Sequence, residues 1–233
     1  MFDMYDLLLQ LPLFQGLNRN RLDKLIEKTK FEFVKYPAKS RIISKNETCT
    51  HLKFLVSGKI RTEITNNNGK IHLNEELSAP NVIAPNYLFG IRTYYPFDIF
   101  AVEDTGIMQV DKKTFISLMQ QEDIFLLNTL NITSNQSQRK YDSLSFLSSN
   151  NMIEKFASWI LNFTNNRSEN VQIICRQRDL YSFFGVQRSV FIHAMNELES
   201  RNIIKYTNKW VTILDRYSLQ AIVKEQQEKE KVE

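Results

Sequence analysis

The segment from Asp179 to Leu198 constrains the fold more than any other part of the chain, because a single glycine separates two helical patterns. Apolar residues recur at three- and four-residue steps on both sides of that glycine: Leu180, Phe183, Phe184, Phe191, Ala194, Met195 and Leu198. This spacing is typical of amphipathic helices. Gly185 lies where the chain must reverse, and a residue without a Cβ can take a positive φ there. The pattern predicts a helix-turn-helix.

The opposite face of the second helix carries Arg188, Ser189, Ile192, His193 and Asn196. Four of these side chains are polar, and the core of a small domain does not require them. We therefore expect this helix to contact something outside its own domain.

From Phe31 onward the pattern changes from helical to strand-like. Short apolar runs occur at residues 31–34, 41–43, 52–56, 60–64 and 71–73, and alternation returns at 99–110 before a helix from about Lys113. Asn68-Gly69 favours a tight hairpin, because both residues tolerate a positive φ. Short strands divided by turn signals indicate an all-β roll or barrel.

Residues 122–147 form a helical stretch with a heptad-like seam, made of Ile124, Leu127, Leu130, Ser134, Ser137, Tyr141 and Leu144. Such a seam is typical of helices that pair with a second copy, although serines occupy its middle. A helix that packs against its own β-domain has the same pattern, so both alternatives remain open. The polar residues 148–151 that follow predict a hinge and supply N-caps for the next helix.

The remainder of the chain surrounds the helix-turn-helix. A helix is predicted at 153–163, a strand at 171–175 and a hairpin at 203–214, which together make a winged helix-turn-helix. The last 18 residues, rich in Gln, Glu and Lys, are predicted to be a solvated helical tail.

Composition limits the classes of protein that this chain can represent. A length of 233 residues fits two small domains, and no apolar run approaches the roughly 20 residues that span a bilayer. Asp3 and Asp6 stand where a signal peptide would carry cations, and two isolated cysteines indicate neither a disulfide framework nor a zinc site. We expect a cytoplasmic protein without metal or cofactor. Its net charge of +4 leans only weakly toward a polyanionic partner.

Three segments resemble the Crp/Fnr family of bacterial transcription regulators. Residues 176–204 resemble the family's DNA-reading module, residues 12–47 the first part of its β-roll sensor domain, and residues 52–70 its central hairpin. The resemblance covers nearly the whole chain. It implies an α+β protein with a double-stranded β-helix (jelly-roll-like) sensor domain at 1–121, a dimerisation helix at 122–148, a winged helix-turn-helix at 149–218 and a charged tail at 219–233. It also favours the dimer over the alternative in which the helix packs on its own domain.

The resemblance implies double-stranded DNA as the partner of the helix-turn-helix. The start of the second helix then reads base edges through Gln187, Arg188, Ser189 and His193. Arg188 matches the family's base-reading arginine, whereas Ser189 and His193 replace a frequent glutamate and a second arginine, so we expect a different half-site. Gln187 either bonds an adenine edge or only caps the helix. Backbone contacts are expected from Arg176, Gln177, Arg178, Lys205, Asn208 and Lys209.

The sensor segment 84–105 departs from the members that bind cyclic nucleotides. Phe97 and Asp98 stand where an Arg-Ser or Arg-Thr pair holds the cyclic phosphate, and no Gly-Glu pair precedes them. An aspartate repels a phosphate, so we do not expect cyclic AMP or GMP. Candidate residues for another small effector are Asn86, Tyr87, Phe89, Arg92, Phe97 and Asp98. The aromatic members of this set are equally compatible with a filled core.

The cysteine and histidine residues bear on two further sensing chemistries. Two isolated cysteines cannot supply the four thiolates of an iron-sulfur cluster. Heme ligation through His51, His72 or Cys49 remains an alternative, because imidazole and thiolate both bind iron.

The sequence therefore predicts a homodimeric, sequence-specific transcription regulator with an unidentified effector and RNA polymerase as a further candidate partner. The alternative is a sensor or interaction protein of the same fold that has lost specific DNA binding. An enzyme is the least supported class, because the sequence contains no phosphate-binding glycine loop, HExxH motif or nucleophile elbow.

Overall fold

The computed structural model describes residues 4–147 and 151–230. Contacts between residues divide the chain into two compact units, the first formed by Met1–Thr62 with Leu77–Ser137 and the second by Glu63–Glu76 with Gln138–Glu233. The second unit thus includes residues 63–76, which lie within the segment 1–121 that the sequence assigns to the β-domain. The predicted hinge residues Ser148, Ser149 and Asn150 lie outside the described residues.

The first unit begins with two helices, α1 (Met4–Leu9) and α2 (Arg19–Lys28), separated by a short 3-10 turn at Pro12–Phe14. Asn18 caps α2, because its side chain accepts a hydrogen bond from the Arg21 backbone N–H. Eight strands follow in chain order: β1 (Glu32–Tyr36), β2 (Arg41–Ile43), β3 (His51–Ser57), β4 (Lys59–Thr65), β5 (His72–Ser78), β6 (Asn81–Ile83), β7 (Asp98–Ala101) and β8 (Thr105–Asp111).

Two antiparallel sheets enclose the core of the first unit. One has the strand order β1-β8-β3-β6, and the other the order β2-β7-β4. That core contains fully buried aromatic rings, including Phe14, Phe54 and Tyr95, together with aliphatic residues of the strands. This is the predicted jelly-roll-like arrangement, and the α+β class is confirmed.

The predicted hairpin forms between β4 and β5, with a longer connection than a two-residue turn. Asn66 accepts the Gly69 N–H at its carbonyl (3.0 Å), and its side-chain oxygen accepts the Lys70 N–H (3.0 Å). Gly69 takes a φ of +70°, which explains the glycine.

Two helices follow the β-roll, α3 (Lys112–Gln121) and α4 (Asp123–Leu147). The Asp111 carboxylate caps α3 by accepting the backbone N–H groups of Lys113 and Thr114. The Thr114 hydroxyl also donates to this carboxylate, and that hydrogen bond, together with the backbone ones, lowers the pKa of Asp111. On α4, Phe125 is buried, and the Asn128 side chain donates to the Leu13 carbonyl at 3.1 Å. One face of α4 therefore packs on its own unit.

The second unit is assembled from α5 (Met152–Phe163), β9 (Val171–Ile174), α6 (Gln177–Phe183), α7 (Arg188–Ser200), β10 (Ile204–Tyr206), β11 (Trp210–Ile213) and α8 (Arg216–Glu230). Its strands lie in the order β5-β9-β11-β10. Asn151 caps α5 as predicted, accepting the Ile153 N–H at 2.9 Å. Leu219 is fully buried, so α8 begins as part of the core and not as a solvated tail. Among the described residues, no helix is long and apolar enough to cross a membrane.

Candidate nucleic-acid interface

The helices α6 and α7 meet at a turn that the glycine makes possible. Gly185 has a φ of +66°, and the Val186 N–H closes the turn on the Tyr181 carbonyl at 3.1 Å. A Cβ added to Gly185 would meet no heavy atom within 4 Å, so the left-handed backbone and not a lack of space explains the glycine. The predicted helix-turn-helix is confirmed.

The two faces of α7 separate core residues from exposed polar ones. Its inward face buries the predicted set Phe191, Ala194, Met195 and Leu198. Arg188, Ser189 and His193 are exposed on the other side. Gln187 precedes α7 and its side chain makes no capping hydrogen bond, which removes the capping explanation for this residue.

The wing hairpin lies beside the start of α6. The Asn208 carbonyl accepts the Gln177 N–H at 3.0 Å, and the Lys209 carbonyl accepts the Cys175 N–H at 2.9 Å. Burial raises the pKa of the Cys175 thiol to about 11, helped by the nearby Asp179 carboxylate. These backbone hydrogen bonds hold the wing next to the N-terminal end of α6.

The residues predicted to contact the DNA backbone do not all lie together. Gln177 is half-buried, and the other five, Arg176, Arg178, Lys205, Asn208 and Lys209, are exposed. A cleft of about 770 Å³ is lined by Arg176, Arg178 and Lys209, but not by Lys205 or Asn208. Lys70 and His72 of the hairpin residues 63–76 line the same cleft. No sequence pattern indicates that these two residues lie here, because their position depends on the pairing of strands distant in sequence.

Tyr206 is a third residue that the sequence analysis did not identify. Its hydroxyl donates to the Asn196 side-chain oxygen at 2.5 Å, and its backbone N–H donates to the Glu199 carboxylate at 3.3 Å. Burial, together with the charge of Glu199, raises the pKa of Tyr206, so the hydroxyl keeps its proton as a donor. The wing therefore orients a side chain on the exposed face of α7.

The first unit contains a separate cavity of about 220 Å³ near the predicted effector segment. Its lining is Leu13, Leu52, Pro85, Asn86, Phe89, Gly90, Phe115, Thr129, Ile132 and Thr133. Of the six predicted effector residues, Asn86 and Phe89 line this cavity, whereas Tyr87, Arg92, Phe97 and Asp98 do not. None of the lining residues carries a charged side chain.

Other contacts account for most of the predicted effector residues outside the cavity. The ring of Tyr87 packs edge-on against Phe97, with centroids 5.8 Å apart. The Asp98 carboxylate accepts the Lys45 backbone N–H at 3.1 Å and lies 3.8 Å from the Arg41 guanidinium. Arg92 is exposed.

The candidate heme ligands have ordinary hydrogen-bond partners. His51 Nδ1 lies 2.8 Å from the Thr50 hydroxyl, and His72 Nδ1 lies 3.0 Å from the Thr65 hydroxyl. Cys49 is buried, and burial raises the pKa of its thiol. Within residues 4–147 and 151–230, no three His, Cys, Asp or Glu side chains come together as a metal site would require.

The predicted seam residues on α4 have different environments. Ile124 packs partly against the core of its own unit. Leu127 is 57% exposed and Leu130 is 53% exposed. Ser134, Ser137 and Tyr141 are also exposed, whereas the side chain of Leu144 lies outside the described residues.

Comparison with known proteins links both units to families. Residues 33–122 match the cyclic nucleotide-binding domain and residues 154–222 match the Crp-like helix-turn-helix domain, so that the two models together account for more than half of the chain. No curated protein sequence matches this chain.

Solved structures with the same architecture include two with 18% sequence identity. The catabolite activator protein of Thermus thermophilus has a TM-score of 0.51, with 91% of this chain and 98% of that chain covered. A transcriptional regulator of the Crp/Fnr family from Eubacterium rectale has a TM-score of 0.50 with the same coverage. At this identity the likeness shows the fold alone.

Proposed function

Because this chain belongs to the Crp/Fnr family of transcription regulators, we propose that it binds a pseudo-palindromic DNA operator as a homodimer and that an effector other than a cyclic nucleotide controls this binding. Members of this family are regulatory DNA-binding proteins and not enzymes. We place the activity in the cytoplasm, where the DNA is, with RNA polymerase as a further candidate partner.

The observation that carries the proposal is the division of α7 into two faces. Its apolar side chains are buried, which fixes the helix, while Arg188, Ser189 and His193 remain exposed at its first two turns. An α-helix fits the major groove with its N-terminal residues at the base edges. The Arg188 guanidinium can pair with O6 and N7 of guanine, a contact worth about 1 to 3 kcal/mol of discrimination.

The exposed apolar residues of α4 support the homodimer. Leu127 and Leu130 expose about half of their surface three residues apart. Adjacent exposed leucines on one helix are typical of a surface that a second helix covers. Two helix-turn-helix modules in a dimer would meet half-sites about 10 base pairs apart.

The cavity of the first unit supports an effector without a phosphate. Asn86, Thr129 and Thr133 provide polar groups within an otherwise apolar lining, and no lining side chain is charged. Asp98 lies outside this cavity, where it pairs with Arg41, and it stands at the position at which cyclic-nucleotide-binding members hold the phosphate. Its negative charge opposes a cyclic phosphate there. We propose a small uncharged molecule as the effector, since about 220 Å³ is below the usual range of about 300 to 1,000 Å³.

The test is selection of bound duplexes from a random library by the full-length protein at physiological salt, followed by sequencing. We expect an enriched palindrome. Arg188→Ala should reduce the preference for one base position by about 1 to 3 kcal/mol. Arg201→Ala is the matched control, because Arg201 ends the same helix and pairs with Glu197. It should leave the preference unchanged.

Two outcomes would contradict parts of this proposal. An enriched palindrome that Arg188→Ala does not alter would remove Arg188 as a base reader. The selection is run twice with the wild-type protein, once without ligand and once with cell extract as a source of effector. If neither selection enriches a sequence, a sensor or interaction protein that lacks specific DNA binding is favoured.

A further inference from the structure

The hairpin tip, residues 63–76, is built into the DNA-binding unit as an additional strand. β5 pairs with β9 in antiparallel register, with Leu73 opposite Ile173 and Glu75 opposite Val171. Leu73 and the neighbouring Ile71 are buried in the same core as α7. The tip is therefore held by a sheet ladder and by apolar packing, and it does not hang free.

Polar contacts fix the tip a second time. The Glu75 carboxylate is buried, where it accepts hydrogen bonds from the Asn165 N–H at 2.7 Å and from the Ser168 hydroxyl. The Asn170 side chain donates to the Glu76 carboxylate at 2.7 Å. These bonds at Glu75 and Glu76 add to the strand ladder, which extends to the pair His72 and Ile174, so the residues at the turn have a defined position.

The turn places Lys70 in the cleft that Arg176, Arg178 and Lys209 also line. Four cationic side chains thus face a space of about 770 Å³ with one carboxylate among its lining residues, Asp179. Lys70 Nζ lies 3.9 Å from the Asp179 carboxylate, and the Lys70 side chain remains 61% exposed. A surface pair of this kind contributes little, so it does not prevent Lys70 from binding another anion.

We propose that this cleft binds a backbone phosphate of the DNA and that Lys70 extends the protein's contact with the duplex beyond the helix-turn-helix. The inference rests on the proposed DNA binding and adds a hairpin that is not part of the helix-turn-helix. A phosphate in the cleft is attracted by the charges of four cationic side chains. A phosphate contact carries no sequence information, because the base edges specify the sequence. Lys70 therefore contributes affinity and salt dependence, not base preference.

The test measures the affinity of the full-length protein for the selected operator and for a duplex of unrelated sequence over a range of salt concentrations. Lys70→Gln should weaken binding to both duplexes by the same factor, and the slope of log K against log salt should fall by about 0.9 for one lost phosphate contact. Lys224→Gln is the matched control, because Lys224 is exposed on α8 and does not line the cleft. Its slope should equal the wild-type slope.

A variant with the opposite charge change excludes a general folding effect. Asp179→Asn removes the carboxylate of the cleft, so it should strengthen binding to both duplexes. Weakening by Lys70→Gln with strengthening by Asp179→Asn would support the phosphate site. Weakening by both would overturn it.

The remaining outcomes separate this inference from the proposed function. If Lys70→Gln keeps the wild-type slope while Arg188→Ala still loses operator preference, the protein binds DNA and the cleft assignment is wrong. If the wild-type protein binds neither duplex, the proposed function itself fails, and the cleft assignment with it. Inorganic phosphate is the alternative occupant. If phosphate stabilises the wild-type protein but not Lys70→Gln against thermal unfolding, while the DNA slopes of the two proteins are equal, the DNA assignment is overturned.

Discussion

The outer face of α7 and the segment from Asn86 to Asp98 both contain residues that the sequence marks as candidates for binding, but their tertiary contacts differ. On α7, Arg188, Ser189 and His193 are exposed. In the other segment, Tyr87 and Phe97 pack against each other, and Asp98 is engaged by Lys45 and Arg41. A residue type suited to binding becomes a candidate only where tertiary contacts have left it available.

The largest expected effect tests whether the aromatic segment is core. Tyr95 is 1% exposed, so Tyr95→Ala should lower the free energy of unfolding by about 3 to 5 kcal/mol through lost burial and a cavity. Chemical denaturation of the full chain measures this. Tyr94→Ala, next to it and 43% exposed, is the control and should cost much less. Equal costs for the two variants would contradict the filled-core interpretation.

A smaller effect of a different kind is expected on α7. His193 is exposed, so His193→Ala should leave the free energy of unfolding within about 0.5 kcal/mol of the wild-type value. The same change should reduce discrimination at one base position of the operator by about 1 to 3 kcal/mol. Competition binding between the operator and singly substituted duplexes measures the loss. A stability loss without a specificity change would make His193 a structural residue.

How far the sequence predicts each region follows from the range of the interactions. The helices α6 and α7, the turn at Gly185 and the buried face of α7 were predicted because those features depend on spacing within 20 residues. The predicted apolar face of α6 is only partly buried, since Leu180 is inside the core but Phe183 is 50% exposed. The cleft beside α6 was not, since Lys70 reaches it only through the pairing of β5 with β9, about 100 residues away along the chain. The cavity of the first unit is a similar case: Leu13, Phe89 and Thr133 come from three distant segments.

The buried carboxylate of Glu75 gives a pH test of how the hairpin tip is held. Burial raises the pKa of Glu75, against the opposing effects of the Ser168 hydroxyl, the Asn165 N–H and the Arg216 charge. A carboxyl whose pKa is higher in the folded state stabilises the fold below its unfolded pKa, and this contribution is lost as the pH rises through the folded value. Glu75→Gln keeps an acceptor for the Asn165 N–H, so we expect the free energy of unfolding to change by only about 1 kcal/mol at neutral pH.

The diagnostic result for Glu75→Gln is the pH profile. As the pH rises from the unfolded-state pKa of this carboxyl to its higher folded-state pKa, the free energy of unfolding of the wild-type protein should decline. The variant has no carboxyl at this position and should not show this decline. Glu63→Gln, at the other strand of the same hairpin tip, is the comparison variant. Parallel profiles for wild type and Glu75→Gln would mean that Glu75 does not titrate with folding.

A further effect is expected where the wing contacts the exposed face of α7, at the hydrogen bond between Tyr206 and Asn196. Tyr206→Phe removes the hydroxyl that donates to Asn196, which should lower the free energy of unfolding by about 0.5 to 1.5 kcal/mol. Because Asn196 lies on the face of α7 that carries His193, loss of the bond frees the Asn196 side chain to adopt other rotamers. Operator preference should then broaden at the base nearest Asn196, while the salt slope stays unchanged because no cation is removed. Asn196→Ala combined with Tyr206→Phe should be no worse than Asn196→Ala alone, since the hydroxyl then has lost its partner. Additive losses in that double mutant would show that Tyr206 acts independently of Asn196, and the wing would no longer be a support for the reading face.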